Sequence, residues 1–296
     1  MTLRLRPYLF VAGTLVPLIA FSVLASRQLV QHEREAVERE ATGRARAAMS
    51  AVDAHLRSSI VSLETLGASK SLEAGNIAAF HQEAQRAMRT QPAWVNIGLA
   101  SADKMQLFNA VYALGKPEPL TIDDPSYLAV LRGARATFGN VTAGTVVQSP
   151  TVRVRVSVSY GDEVRYVLTA PQNLKLFAEL MQAQHLPDDW GISLVDREAR
   201  VIVRIPAVPA GVEESDSFRE AIRHAPEGWF QGHSREGRPT HTAYVTSHLS
   251  GWVLGVAIPA GAVDAGEKRI LTMLVAGVVL AFVLGMALAS QVAERR

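Results

Sequence analysis

Two long apolar segments stand near the ends of this chain, at residues 8–25 and 270–290, and the residues between them are mixed in polarity. Neither segment contains a charged residue. Each has the roughly 17–25 residues that a helix needs to cross the hydrocarbon of a bilayer, and a helix satisfies its own backbone hydrogen bonds there. The pattern predicts two transmembrane helices. Two crossings would place both chain ends on one side of the membrane and the central part on the other.

The first apolar segment also admits a second interpretation. Arg4 and Arg6 precede it and it closes at Ala25, so a cleaved signal peptide is an alternative. Its length and the presence of Pro17 favour an uncleaved anchor. Basic residues ahead of an N-terminal apolar segment are typical of export of the downstream chain. We therefore expect a two-pass protein of the inner (cytoplasmic) membrane, with its central domain periplasmic or extracellular.

Residues 26–71 show the spacing of a helix. Apolar residues recur every three, four or seven positions, close to the 3.5-residue period of a coiled coil. They are Val30, Val37, Ala41, Ala45, Ala48, Val52, Leu56, Ile60, Leu63 and Leu66. One interpretation is a long helix that lies on its own domain. The other is that its membrane end also pairs with a second copy, and a mixture of the two predicts a homodimer.

After residue 90 the spacing changes from helical to alternating. Residues 151–159 (TVRVRVSVS) place valine on one face of a strand and arginine or serine on the other. Five strands are predicted in the first part, at 94–100, 104–111, 138–142, 151–159 and 164–170, with a helix at 125–132. Five more are predicted at 190–195, 200–205, 228–233, 240–245 and 252–258, with a helix at 215–224. Two strands, a helix and three strands thus occur twice, which predicts an α+β fold of two antiparallel sheets on a long N-terminal helix.

Composition excludes several classes of function. The chain has no cysteine, which excludes a disulfide framework, a thiolate nucleophile and a cysteine–zinc site. The formal net charge is only +2 and no basic block is interleaved with aromatic residues, so we expect no nucleic-acid partner. No nucleophile–base–acid set is apparent either. We therefore predict no catalytic residue in this chain.

Motifs of turns and core recur in a fixed order along the chain. They stand at residues 66–72 (LGASKSL), 91–97 (QPAWVNI), 164–168 (VRYVL), 194–198 (LVDRE), 226–228 (PEG) and 250–252 (SGW). In this order they resemble the double Cache (tandem PAS-like) extracytoplasmic sensor domain of bacterial transmembrane receptors, most of all that of sensor histidine kinases. The resemblance covers essentially the whole chain, and it implies a module that senses small molecules for signal transduction, as in two-component systems.

The resemblance also implies how the chain is divided. Residues 1–7 are a cytoplasmic N-terminus, 8–25 the first transmembrane helix, 26–90 the long helix and a second helix, 91–172 a membrane-distal unit, 173–259 a membrane-proximal unit, 260–269 a connecting helix, 270–290 the second transmembrane helix, and 291–296 a cytoplasmic end without an output module. The parent receptor is expected to be a histidine kinase. The alternatives are a chemotaxis receptor, a cyclic-di-nucleotide enzyme, or a membrane-tethered ligand-binding adaptor without output.

Candidate binding residues lie in the first strand-rich part. Arg153 and Arg155 share one face of a strand, and guanidinium groups suit carboxylates because they donate two parallel hydrogen bonds. The resemblance implies that the ligand lies in the distal unit. The amino-acid-binding version of this domain carries an arginine shortly before a tryptophan near the distal helix. Arg132 is not followed by a tryptophan, which argues against an amino acid. We therefore predict a small-molecule ligand, with an organic acid as the favoured class. The predicted ligand-binding residues are Arg153, Arg155, Tyr166, Tyr127 and Tyr112. The alternative is a solvated sheet face.

Other polar residues receive structural interpretations. His233 and His241 are expected to face each other across a hairpin, but a metal site needs about three protein ligands in fixed geometry. No carboxylate is placed to join them, so neither a metal nor another cofactor is predicted. Asp123 and Asp124 precede Pro125 and are interpreted as a helix cap.

Overall fold

Helices α1 and α7 frame the chain in the computed structural model, which describes residues 6–115, 118–119, 124–143, 149–161 and 163–294. The helices are α1 (Arg6–Gly67), α2 (Lys70–Glu73), α3 (Ile77–Thr90), α4 (Pro125–Leu131), α5 (Leu174–Gln182), α6 (Asp216–His224) and α7 (Ala260–Glu294). The strands are β1 (Gly98–Ser101), β2 (Met105–Asn109), β3 (Glu118–Pro119), β4 (Ala136–Phe138), β5 (Thr142–Ala143), β6 (Pro150–Tyr160), β7 (Glu163–Gln172), β8 (Gly191–Val195), β9 (Val201–Ile205), β10 (Glu227–His233), β11 (Pro239–Thr246) and β12 (Val253–Pro259).

The strands form two antiparallel sheets with one topology. The first sheet has the order β3-β2-β1-β7-β6-β4, with β5 paired to β6, and the second has the order β10-β11-β12-β8-β9. If the short strands β3 and β5 are left out, five strands remain in each sheet. When these five are numbered in chain order, both sheets have the spatial order 2-1-5-4-3. The predicted repeat is therefore visible in the strand order. The prediction of an α+β fold with a long N-terminal helix and two antiparallel sheets is confirmed.

Helix α1 packs against both sheets. Its apolar stripe turns toward the domain, and Ala45, Val52, Leu56 and Leu63 are each fully buried. One hydrophobic cluster joins this stripe to the inner faces of both sheets. Small alanines allow close approach at the second sheet, where Ser247 Oγ donates to Asp53 Oδ1 at 2.7 Å. The two sheets thus share one core along one helix.

The C-terminal end of α1 shows how closely helix and sheet meet. A Cβ on Gly67 would lie 2.8 Å from Val158 Cγ2 and 3.4 Å from Leu168 Cδ1. A side chain there would push the helix away from the first sheet, so glycine is required for space. Ser69 then caps α2, because its side chain accepts a hydrogen bond from the Ser71 N–H.

Two sequence predictions need correction. The first sheet has seven strands instead of five among the described residues. The predicted strand 138–142 divides into β4 and β5, because Gly139 N–H donates to Arg153 carbonyl at 2.8 Å and takes the chain off the regular ladder. Between Ala41 and Leu63 the stripe of α1 lies on its own domain, since both side chains are fully buried, and pairing of the membrane end with a second copy stays a prediction.

Within the described part of the chain, no helix combines the length and the hydropathy of a membrane span. The predicted transmembrane segment 8–25 falls mostly on residues whose side chains are not described, and so does part of the segment 270–290. Residues 1–5 and 295–296, at the predicted cytoplasmic ends, lie outside the described residues.

Candidate functional site

Helix α4 covers the face of the first sheet that is turned away from α1. Pro125 begins the helix, and the Asp124 side chain caps it by accepting from the Ser126 N–H at 2.9 Å and from Ser126 Oγ at 2.6 Å. Tyr127 and Val130 are buried against the sheet, in a cluster separate from the main core. Cap and apolar contacts together fix the start of α4 over β6.

Arg155 is a buried cation on this face. Alternation along β6 places its valines toward α1 and its arginines toward α4. The Arg155 side chain is only 1% exposed, and its Nη2 lies 2.9 Å from Asp124 Oδ2. Nη1 donates to Ser126 Oγ, and the guanidinium carbon lies 6.0 Å from the ring centre of Tyr127. Among the described residues, Nε–H has no hydrogen-bond partner.

Burial and charge act in opposite directions on this ion pair. Burial lowers the pKa of Arg155, and the charge of Asp124 opposes that effect. For Asp124, burial alone would raise the pKa, but the charge of Arg155 and the hydrogen bonds from Ser126 hold it below its ordinary value. Both groups are therefore ionised near neutral pH, because arginine stays protonated in proteins.

Arg153 lies on the same face but is held differently. It is partly buried, its Nη1 donates to Thr142 Oγ1, and its Nη2 lies 3.4 Å from the Ala143 carbonyl. Burial lowers its pKa, while Asp124 raises it. The face thus holds two guanidinium groups and one carboxylate. A net positive charge of this kind favours an anionic group on a ligand.

Gly139 gives the Arg155 guanidinium its room. A Cβ at this position would lie 3.2 Å from Arg155 Nη1 and 3.4 Å from Ser126 Oγ. Thr137, two residues earlier, donates to the Ser126 carbonyl at 2.8 Å. The loop after β4 and the first turn of α4 therefore enclose the guanidinium from two sides.

The structure brings together three of the five predicted ligand-binding residues. Arg153, Arg155 and Tyr127 share the α4 face, and Tyr127 Oη donates to the Ser101 carbonyl at 3.1 Å. Tyr112 is 56% exposed on the loop after β2, where its carbonyl lies 3.0 Å from His81 Nε2. The alternative of a solvated face is wrong for Arg155. That these residues bind a ligand stays a prediction.

Tyr166 lies on the opposite face of the sheet, within the core beside α1. A bulge between Val158 and Ser159 shifts the register of β6 and β7, so that Val158 pairs with Tyr166. Without the bulge, Ser157 would oppose Tyr166 on the arginine face. One extra residue moves a side chain to the other face of a strand. The grouping of Tyr166 with the arginines is therefore corrected.

Asp124 and Ser126 are site residues that the sequence interpretation did not include. Asp124 was expected to cap a helix, which it does, but the same carboxylate also balances Arg155. The available signals were an Asp-Pro-Ser start to a helix and an alternating strand with arginines. No spacing rule connects the two, because they stand about thirty residues apart and meet only through the sheet.

The histidines of the second sheet do not face each other. His233 pairs with Pro239, and His241 pairs with Gln231. His241 instead stacks on Trp229, with ring centres 5.6 Å apart. In the part of the chain that the structure describes, no three histidine, aspartate or glutamate residues are grouped as metal ligands.

The fold is that of extracellular sensor domains. No family model matches the sequence, and no curated protein matches it. One similar solved structure is described as the extracellular domain of a histidine kinase, rpHK1S-Z16. It is 15% identical to this chain, with a TM-score of 0.56 over 83% of this chain and 98% of that one. The ligand-binding domain of the Campylobacter jejuni chemoreceptor Tlp3 with 4-methylisoleucine is 12% identical, with a TM-score of 0.59 over 78% and 94%. The ligand-binding domain of Mlp24 with asparagine is 14% identical, with a TM-score of 0.59 over 80% and 98%. These likenesses agree with the double Cache resemblance of the sequence.

Proposed function

We propose that this chain is the extracytoplasmic small-molecule sensing module of a membrane signal-transduction receptor. The observation that carries the proposal is the buried Arg155–Asp124 pair beneath α4, on the outer face of a sheet in a sensor-domain fold. A purely structural core rarely contains a polar site of this kind, because burying charges is costly unless they are paired. The neighbouring Arg153, which is only partly buried, has further N–H groups that a ligand can use.

The ligand class that best fits the net positive charge is a small organic acid. Its carboxylate would take charge-assisted hydrogen bonds from Arg153, beside the buried positive charge of Arg155. A second candidate is an amino acid, which the Asp124 carboxylate favours because it can accept from an ammonium group. Solved neighbours hold 4-methylisoleucine or asparagine in domains of this fold. The two candidates differ in whether an ammonium group is needed.

Calorimetric titration of the full chain, in nanodiscs, with matched pairs such as succinate and aspartate tests this proposal. Arg153→Ala should weaken binding of the preferred compound roughly ten- to a hundred-fold, as expected for loss of a hydrogen bond to a charged group. Arg153→Lys should restore only part of the lost affinity, since an ammonium group lacks the planar fork of a guanidinium group. Arg135→Ala, which removes an arginine that is 81% exposed and paired with Glu64, is the matched control. Binding unchanged in both Arg153 variants would contradict the proposed site.

We also propose that the ends of α1 and α7 anchor the module in the membrane. Large apolar side chains project outward there, with Phe21 71% and Phe282 60% exposed. An exposed apolar surface of this extent is typical of contact with lipid or protein. Reporter fusions at Met1 and Arg296 should both read cytoplasmic. A secreted form that begins at residue 26 would contradict the receptor proposal.

The proposed route of the signal is the pair of helices α1 and α7, which pack together where they leave the second sheet. A ligand that favours one arrangement of α4 over another would shift the population of the whole domain. A small displacement of one helix against the other would then reach the cytoplasm. The output is proposed to be a histidine kinase, and the working unit a homodimer. A kinase segment encoded after residue 296 in the gene would support this, whereas none would favour the adaptor alternative.

A further inference from the structure

The second sheet carries a cavity of its own, on the face that α6 covers. Large side chains of Val195, Val253, Tyr244 and Phe218 fill one part of this face. Over the remaining part the sheet presents mostly small side chains toward the cavity, namely Gly191, Ser193, Thr240, Thr242, Gly255 and Ala257, while Arg204 of β9 stands in its wall. They leave a space of about 40 Å³. That is room for about three to four water-sized groups.

The hydroxyl groups that line the cavity belong to buried residues. Thr240, Thr242 and Ser193 are 7%, 4% and 8% exposed. Neither threonine hydroxyl is hydrogen-bonded to another residue in the part of the chain that the structure describes. Ser193 Oγ donates to Glu214 Oε2 at 2.8 Å, which leaves its lone pairs free to accept. Polar groups that line a cavity are ordinarily hydrogen-bonded to an occupant, and both threonine hydroxyls are free to bond to a polar molecule there.

The charged groups in the wall of this cavity are paired with one another, one guanidinium with two carboxylates. Arg204 Nη1 lies 3.3 Å from Glu214 Oε1, and its Nη2 lies 3.1 Å from Glu236 Oε2. The Glu214 carboxylate also accepts from Ser193 Oγ and from the Ser215 N–H. A carboxylate ligand would meet two carboxylates around the one guanidinium. A cation would lose its hydration beside Arg204. An uncharged ligand avoids both costs.

We propose that this cavity is a second ligand site, for a small uncharged alcohol or diol. The apolar part of such a molecule would lie against Phe218 and Ala257, and its hydroxyls would bond to Thr240 and Thr242. The site lies on a different sheet from the α4 face and is independent of the function proposed for that face. A ligand with four non-hydrogen atoms cannot bind tighter than about 40 µM, given the ceiling on free energy per atom.

Nuclear magnetic resonance of the full chain in nanodiscs, with methyl-labelled threonine, tests this proposal. Titration with 1,2-ethanediol should move the Thr240 and Thr242 methyl signals along a saturable curve. Acetate and ethylammonium, which match it in size, should bind more weakly. Thr242→Val keeps the side-chain shape but removes one hydroxyl, and should weaken diol binding about tenfold, the effect of one hydrogen bond. Thr246→Val, on the same strand but outside the cavity, should leave binding unchanged.

Ala257→Val provides the steric test, because the added methyl groups occupy the cavity, and it should abolish the response. If that variant does not fold, Thr242→Val decides the question. The proposal is overturned if no saturable shift occurs up to the highest diol concentration that the folded chain tolerates. It is also overturned if acetate or ethylammonium binds more tightly than the diol, or if Thr242→Val binds the diol normally.

Discussion

At the scale of single residues, Arg155 is held at a cost that only its partner offsets. The side chain is 1% exposed and its guanidinium is paired with a carboxylate that is itself 17% exposed. A buried ion pair adds little net stability compared with apolar residues, yet breaking it leaves an uncompensated buried charge. Arg155 is thus expected to matter for folding as well as for any ligand.

Arg155→Ala should therefore lower the free energy of unfolding by about 3–5 kcal/mol, the usual cost of removing one partner of a buried pair. Arg135→Ala removes one partner of the exposed pair with Glu64 and should cost at most about 1 kcal/mol. Urea unfolding of the two variants beside the parent measures both values. Equal and small effects would mean that Arg155 is solvated in solution.

His55 is expected to make stability depend on pH. It lies where α1 meets the end of the first sheet, with Nε2 3.0 Å from Gln172 Oε1 and its ring edge-on to Phe177. Burial lowers its pKa, against a smaller opposing effect of Gln172. Because the folded state disfavours the charged ring, this stability is fully present above the ordinary histidine pKa of about 6.5 and is lost as the pH falls toward the lowered pKa.

His55→Gln should remove that part of the pH dependence, whereas the matched change His248→Gln, at an exposed histidine, should not. Unfolding temperatures between about pH 7.5 and pH 5 measure the difference, since this window spans the ordinary pKa of histidine. If the parent and His55→Gln lose stability in parallel over that range, another group is responsible.

Which side chains share a face was predictable only where the strand is regular. The alternation of 151–159 correctly placed both arginines on one face, away from the valines. The grouping of Tyr166 with the arginines did not rest on such alternation, and the bulge at Val158 and Ser159 that sets its pairing leaves no sign in the sequence. The partner of Arg155 could not be found either, since Asp124 reaches it through tertiary packing and not through local spacing.

At the scale of elements, α1 derives its stability from two sheets in turn. A helix of 62 residues with a stripe of small and aliphatic side chains has no core of its own. Its alanines lie over the second sheet and its leucines over the first. Helical stability in proteins comes mostly from packing of this kind and less from intrinsic propensity. The two faces of α1 should therefore respond very differently to truncation.

Leu63→Ala should cost about 2–5 kcal/mol, because it deletes a fully buried side chain and leaves a cavity. Val61→Ala, two residues earlier and 59% exposed, should stay within about 0.5 kcal/mol. Chemical denaturation of both variants measures the contrast. A large effect of Val61→Ala would instead indicate that this side of α1 is covered in solution, as in the proposed homodimer.

Element boundaries were predicted where capping residues mark them. The predicted helices 125–132 and 215–224 begin within one residue of α4 and α6, which Asp124 and Ser215 cap. The stripe of α1 was also visible, but its role was not, because the same spacing suits a helix on its own domain and a helix in a coiled coil. Burial decides between the two from Ala41 to Leu63.

At the scale of the whole molecule, the two sheets are joined into one cooperative unit. A single hydrophobic cluster contains residues of α1 and of both sheets. The loop after β4 also bridges the sheets, because the buried Asp196 carboxylate accepts from the Val141 N–H at 3.0 Å. Units that share a core in this way lose their independent stability. The topological repeat therefore does not imply two separate folding transitions.

Leu63→Ala, under the first sheet, and Val256→Ala, under the second, should consequently lower one common unfolding temperature. Scanning calorimetry measures the number of transitions, and a single one is expected in the parent and in both variants. If each variant shifted a different transition, the sheets would be separate domains and α1 only a linker.

The length of α1 has a consequence for the timing of synthesis. The helix is the first element to leave the ribosome, yet it packs on strands near the other end of the chain, and its Asp53 bonds to a serine 194 residues later. At about 5–20 residues per second, that interval lasts about 10–40 seconds. Through this interval the part of the apolar stripe that lies over the second sheet lacks its complete native partner. Nascent chains halted within this window should therefore be captured by chaperones far more often than chains halted after β12.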